Sequence, residues 1–324
     1  MTDWRPRSDA GTARRRAGLK RRIRDYFRSE DVLEVDTPAL SYAAGSDPNV
    51  DTAVVRSSLE PERRLFLRTS PEFCMKRLLA AGYPDIYSIC RVFRDGEYGG
   101  RHQPEFTMVE WYRIGFSLSD MMADTCRLVS AALDAPGLAA SIDTLDYVDA
   151  FQRYVGLDPL HASIDELAKA ARADADLRVS LGGDRDAWLD LVLTTCVVPK
   201  FASDRLTALR HYPASQAALA RLCPADPHVA DRFEVFFGEI ELANGYVELT
   251  DADEQLRRIE DELAKRQKAG KPVNPPDDAL IAALRHGLPD CAGVALGLER
   301  LQMVADGTND IGDVITFEFG QEHE

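Results

Sequence analysis

Four side chains that could grip a nucleotide crowd one short stretch of the chain: Arg94, Arg101, His102 and Phe106. A triphosphate needs cations at several separated points, and an adenine ring wants a flat aromatic face. Arg94, Arg101 and His102 can supply the first and Phe106 the second. A surface loop with incidental charge and a buried phenylalanine would read the same way, so the stretch decides nothing alone. Farther along, Gly293 and Gly297 flank an apolar run, and Arg300 follows. Glycine lets backbone approach a flat ligand closely, and Arg300 would aim a planar fork at a phosphate. Tight strand–helix packing asks for the same glycines.

Glu234, Glu241 and Glu248 recur every seven residues in otherwise apolar text. Carboxylates on apolar strands are costly to bury unless paired with cations or a metal. Mg2+ beside a triphosphate is the natural partner, held by one or two carboxylates plus phosphate oxygens. A solvated outer strand face is the rival account, and with odd spacing strand parity alone does not put all three on one face. Glu72, Glu105 and Glu110 add acid near the arginine-bearing stretch. If these surround one pocket, its small-molecule substrate is cationic. Other chemistries lack their signatures, since there is no G-x-x-x-x-G-K-[ST] loop, H-E-x-x-H helix or G-x-S-x-G elbow. His161, His211 and His228 lack metal-ligand spacing and read as ordinary surface or core residues.

The elements that must position these groups suggest one α+β domain over residues 1–324. Residues 12–30 read as an amphipathic helix, and residues 32–38 as a strand ended by proline. Leu65 to Leu67 is a short strand. Ser70 as N-cap and Pro71 at the first helical position open a helix through Leu79. Residues 85–93 and 105–113 are strands joined by a polar loop too long for a tight turn. Residues 117–222 read as a helical insertion or flank. Strand character returns at 233–237 and 240–250, around a turn expected at Ala243-Asn244-Gly245. Residues 253–268 form a charged helix, a proline-rich loop follows, and the glycine-flanked run ends in a helix. Hairpin-paired strands with helices in blocks predict an antiparallel sheet flanked by helices.

The bulk numbers bound the partners. Net charge is −15 over 324 residues, whereas a protein that grips phosphate backbone normally carries a basic surplus. The cluster Arg14, Arg15, Arg16, Lys20, Arg21, Arg22 and Arg24 reads as a solvated helix face or a docking strip for an acidic partner. Six cysteines without a C-x-x-C pair, the lack of a long apolar run and the lack of a secretory signal predict a cytoplasmic protein with no membrane partner.

These motifs together resemble a known family. Val32-Leu-Glu-Val-Asp-Thr-Pro38 resembles motif 1 of the class II aminoacyl-tRNA synthetases, Phe93-Arg94 through Phe106 resembles motif 2, and Gly293 through Arg300 resembles motif 3. Thr69-Ser-Pro-Glu72, Met108-Val-Glu-Trp-Tyr112 and residues 241–250 are similar to the lysyl branch. Motif 1 starts by residue 32, leaving no room for an N-terminal OB-fold domain. The resemblance is therefore to truncated lysyl-tRNA synthetase paralogues that attach β-lysine to a lysine of elongation factor P. Ser70 and Ala295 stand where lysyl synthetases usually have alanine and glycine, which fits a pocket reshaped for a displaced amino group.

The resemblance implies ATP as substrate, Mg2+, a homodimer, an acceptor protein and no stable tRNA binding. It implies Arg94 on the α-phosphate, Phe106 on adenine, Arg300 on the γ-phosphate with Arg101 and His102, and Leu242 and Gly297 against the nucleotide. Glu234 and Glu241 would ligate Mg2+. Glu248 and Tyr112 would hold the side-chain ammonium, with Ser70, Pro71, Glu72, Glu110 and Ala295 around the rest of the amino acid. The usual Asn/Asp-Glu after the motif 2 arginine is here Asp95-Gly96-Glu97, so either Glu97 substitutes through a shifted loop or nucleotide binding is weakened. Gln103 replaces an asparagine. The alternatives are a ligase acylating tRNA or a small molecule, and a non-catalytic regulatory module.

Overall fold

The computed structural model describes residues 4–320. Helix α1 (Ala10–Ser29) starts where the Asp9 carboxylate accepts the Thr12 backbone N–H at 2.8 Å. Strands β1 (Leu33–Glu34), β2 (Leu40–Ser41), β3 (Val54–Arg56) and β4 (Arg64–Leu67) follow, then helix α2 (Glu72–Ala80). Strands β5 (Ile86–Phe93) and β6 (Glu105–Ile114) form the long-looped hairpin, and α3 (Leu118–Ala132) succeeds them. Next come β7 (Ile142–Asp146), helices α4 (Tyr147–Val155), α5 (Ile164–Ala170), α6 (Ala175–Leu181) and α7 (Arg185–Val192), and β8 (Leu206–Arg210). The chain closes with β9 (Leu222–Cys223), β10 (Asp226–Ala230), β11 (Arg232–Phe237), β12 (Ile240–Val247), α8 (Ala252–Lys268), α9 (Asp278–Gly287), β13 (Cys291–Gly297) and α10 (Leu298–Asp306).

Among the described residues, eight strands make one sheet in the order β1-β5-β6-β13-β12-β11-β8-β7. The inner pairs are antiparallel, as the hairpins predict, but both edge pairs, β1 with β5 and β7 with β8, are parallel. A parallel pair needs a crossover, and α4 to α7 supply it between β7 and β8. Residues 117–222 are therefore not only a helical flank, because β7 and β8 within them extend the sheet. Their strand signal is short and lies inside helix-rich text.

Two further expectations are corrected. The turn between β11 and β12 falls at Gly238-Glu239, where Gly238 takes a left-handed φ of +55°. Ala243-Asn244-Gly245 lies inside β12. Gly245 is there for space: a Cβ would lie 2.5 Å from Val294 Cγ2, 2.8 Å from the Gly293 carbonyl and 2.9 Å from Phe233 Cε1. At the start of α2, Pro71 occupies the N-cap position and Ser70 sits one residue earlier.

Helices α1, α3 and α10 cover one sheet face, where Leu19, Ile23, Phe27, Met121 and Leu301 meet Val109, Trp111, Phe233, Val294 and Leu296. Across the other face, α2, α8 and α9 pack on Ile86 and Tyr112, and α4 with α7 pack on Leu209 and Phe236. No helix among the described residues is long and apolar enough to cross a membrane. Because the carbonyl beside Gly245 belongs to the backbone, Gly245→Ala is expected to destabilise the fold by about 1–3 kcal/mol. Urea unfolding checks this, and an unchanged midpoint would refute it.

Candidate active site

Strand alternation sorts the sheet into a packed face and a polar face. On β6, Val109 and Trp111 enter the core while Met108, Glu110 and Tyr112 line a cleft; on β13, Val294 and Leu296 enter the core while Ala295 lines the cleft. Asn244, Tyr246 and then Glu248 share the cleft side of β12. A β-bulge solves the parity problem of the three glutamates. The β11–β12 register jumps from Val235↔Ala243 to Phe236↔Glu241, so β12 carries an extra residue at Leu242. That residue turns Glu241 onto the polar side, where Glu241 and Leu242 both line the cleft.

One half of the cleft is acidic. Ser70 Oγ donates to Glu110 Oε2 at 2.7 Å and accepts the Glu72 N–H at 2.9 Å. The Tyr112 hydroxyl donates to Glu110 Oε1 at 2.7 Å, and the Tyr246 hydroxyl to Glu72 Oε1 at 2.8 Å. Lys76, 1% exposed, lies 2.7 Å from Glu72 Oε1 and 2.5 Å from Glu248 Oε2. The latter is a close, buried ion pair. Pro71 and Ala295 also line this half. Three carboxylates thus share one built-in ammonium.

Burial, reinforced by the charge of Glu72, pushes the Glu110 carboxyl up to about 7. Glu248 is also pushed up by burial, which Lys76 opposes and Glu72 and Glu110 assist. Burial alone would lower Lys76, but Glu248 and Glu72 outweigh it and hold its proton above the ordinary lysine range.

The other half holds the arginines, set among Glu97, Glu241 and Glu299. Arg94 lies over the Phe106 ring at 5.2 Å, and its buried Nε has no partner. Arg300 Nη1 donates to Glu241 Oε2 at 3.0 Å, and its Nη2 lies 2.8 Å from His102 Nε2. Burial and then the Arg300 charge lower the His102 pKa, which keeps the ring neutral and able to accept. Arg101 donates to the Glu239 carbonyl at 2.9 Å. Gln103 and Gly297 line this half too, although the Gln103 carbonyl is engaged by the Phe319 N–H. Arg94, Met108, Asn244 and Ala295 line both halves, so the two open into each other.

Not every expected residue reaches the cleft. Asp95 and Gly96 are exposed and line neither half, whereas Glu97 does. Gly96 takes a left-handed φ of +78°, which turns the chain and brings Glu97 back to within 3.8 Å of Arg94. Glu234 lies beneath the surface, accepting from Arg232 Nη2 at 2.7 Å and Asn244 Nδ2 at 3.1 Å. Burial and then the Glu241 charge push Glu234 up to about 7. Two mutually repelling carboxylates are a donor set that Mg2+ accepts, although each is held by an arginine here, Glu234 by Arg232 and Glu241 by Arg300. Lys76, Arg232, Asn244 and Tyr246 were not singled out from sequence; the Glu72-x-x-x-Lys76 spacing was the one available signal.

With this geometry in view, the chain can be set beside known proteins. The family description tRNA synthetases class II (D, K and N) matches residues 2–320. The chain is 43% identical to the elongation factor P–(R)-β-lysine ligase of Yersinia enterocolitica over 98% of both chains. It is also 43% identical to the Yersinia pestis protein of that name over 97% of both. The chain belongs to the class II tRNA synthetase family, in the branch of the elongation factor P–(R)-β-lysine ligases.

Proposed function

We propose that this chain activates (R)-β-lysine, or lysine, with ATP and transfers it to a lysine side chain of elongation factor P in the cytoplasm. The observation that carries the reading is a single cleft whose acidic half and arginine-bearing half meet at Arg94, Asn244 and Ala295. A diammonium substrate answers the two carboxylates that Lys76 leaves over, and a triphosphate answers the arginines. Phe106 offers a face to adenine, Arg94 sits at the junction for the α-phosphate, and Arg300 with Arg101 and neutral His102 receives the outer phosphates. Glu234 and Glu241 would hold Mg2+, which supplies charge neutralisation to the phosphates.

Held this way, the substrate carboxylate attacks the α-phosphorus in line, forming an acyl-adenylate and expelling pyrophosphate. The acceptor amine then attacks the acyl carbon and expels AMP. Positioning and charge neutralisation carry both steps, so no enzyme nucleophile is required. Ser70 and Ala295 shape the amino-acid half, Ser70 by fixing Glu110 and Ala295 by filling space at the junction.

We also infer a homodimer through the surface around β1 and β2, where Leu33, Leu40 and Tyr42 expose large apolar side chains. Light scattering at micromolar concentration should give twice the chain mass, and a monomer would overturn this. Incubated with ATP, Mg2+ and (R)-β-lysine, the protein should add one lysyl residue to elongation factor P by intact mass. No adduct with any lysine isomer refutes the reading. Arg94→Ala should slow ATP–pyrophosphate exchange about 100- to 1000-fold.

The acidic half also sets a pH dependence. Glu110 carries a raised pKa, so its contribution to folding stability is fully present below the ordinary carboxylate pKa and is lost as pH rises from there through about 7. A cationic ligand needs the ionised form, so its affinity should run the other way. Below pH 7 it should weaken about tenfold per pH unit for each proton displaced. Calorimetry across this range measures it, and an affinity independent of pH would contradict the assignment.

A further inference from the structure

A second polar cluster sits where β8 ends, outside the chemistry just described. His211, Cys223 and Asp231 come from three successive segments, after β8, at the end of β9 and after β10, and a ring nitrogen, the thiol sulfur and a carboxylate oxygen lie within 4.8 Å of one another. We propose that these three side chains form a Zn2+ site that pins the β9–β10 hairpin to the end of β8.

The ligand set is the borderline-soft N/S/O combination that Zn2+ takes. Ligand atoms about 2.0–2.3 Å from a tetrahedral Zn2+ stand roughly 3.3–3.8 Å apart. His211 Nε2 and Asp231 Oδ1 are already 4.0 Å apart, so closing the site needs only small side-chain movement. A thiolate and a carboxylate together neutralise a divalent charge. Cys223 and His211 are half-buried, which leaves a fourth position open to water.

The surroundings are organised as a metal's supporting shell. His211 Nδ1 lies 2.5 Å from Asp146 Oδ1, so the ring donates there and presents Nε2 to the cluster. Such carboxylate–histidine pairs fix the tautomer that ligates. Asp146 is itself held by Arg210 Nε at 3.1 Å and Nη2 at 3.2 Å. Arg221 Nε occupies Asp231 Oδ2 at 2.8 Å and leaves Oδ1 facing His211. His211 adopts a left-handed φ of +57°, a conformation non-glycine residues rarely take. The His211 N–H to Arg232 carbonyl bond of 2.9 Å holds it there. Residue 231 also precedes Arg232, which lines the acidic half of the cleft, so the ion would steady that arginine from behind.

The rival is a metal-free imidazolium bridging Asp146 and Asp231. The full chain, stripped with a chelator, should bind one equivalent of Co2+ with a thiolate-to-metal absorption band, and Zn2+ should displace it and raise the Tm. Cys223→Ser should abolish the band and the Tm gain. His211→Asn, which tolerates the left-handed backbone, should weaken binding, and Asp146→Asn should cost about 10- to 100-fold in affinity. Circular dichroism checks that each variant folds. No stoichiometric Co2+ binding, or a band that survives Cys223→Ser, overturns the proposal.

Discussion

A carboxylate taken out of water must find a cation, and Glu72, Glu110 and Glu248 have one lysine among them. Lys76 reaches from α2 to Glu248 just beyond β12, so the helix and the sheet are tied by a buried ion pair. Around that tie everything is fitted closely. A Cβ at Gly293 would lie 2.5 Å from Glu248 Oε1 and 2.5 Å from Tyr112 Cε1, so the glycine of the β13 motif makes room for the acids before it serves any ligand. Removing Lys76 would leave uncompensated charge in the interior, which costs more than the pair itself contributes. The two carboxyls that Lys76 leaves over are the pocket's specificity, since a cationic substrate draws them into the ionised form and a neutral side chain does not.

From that acidic floor the cleft passes into a half where arginines alternate with glutamates. Arg94 stands at the change, its Nε buried without a partner and its guanidinium spread over Phe106. A carboxylate substrate and a phosphate would therefore be drawn toward the same point from opposite ends. The bulge at Leu242 matters to this arrangement as much as any side chain. Without the extra residue Glu241 would point into the core, and Glu234 would lack its neighbour.

Much of this was readable in advance, for definite reasons. Strands β5, β6 and β13 are legible as strands from their apolar, β-branched and aromatic content, but both faces of β6 and β13 are buried, so the faces of Glu110, Tyr112 and Ala295 had to come from the structure. The arginine-bearing loop is long and polar, and its ends are strands, so Arg94 and Phe106 had to be near each other. The bulge was hidden because Asn244-Gly245 carries a turn's signature while the space it fills is set by Val294 on another strand. Lys76 was hidden because a Glu–Lys pair at i, i+4 usually decorates a wet helix surface; only the sheet's arrival buries it. Strands β7 and β8 are short and embedded among helices, and their membership in the sheet depends on partners distant in sequence. His211 was set aside for its spacing, and a turn of backbone brought its neighbours to it.

The pairing of α1 with α10 carries a last consequence. Arg16 meets Glu299 at 2.5 Å across 283 residues of chain, and Gln302 Nε2 donates to the Thr12 carbonyl at 3.2 Å. These contacts seal one face of the core with the first helix and the last. The apolar stripe of α1 finds α3, Tyr87 and Trp111 within the first half of the sequence order, and only its polar bonds wait for α10. Docking of α10 is thus a long-range step that completes the face after α1 and α3 have met, and until then it is the sheet beneath α10 that stays uncovered.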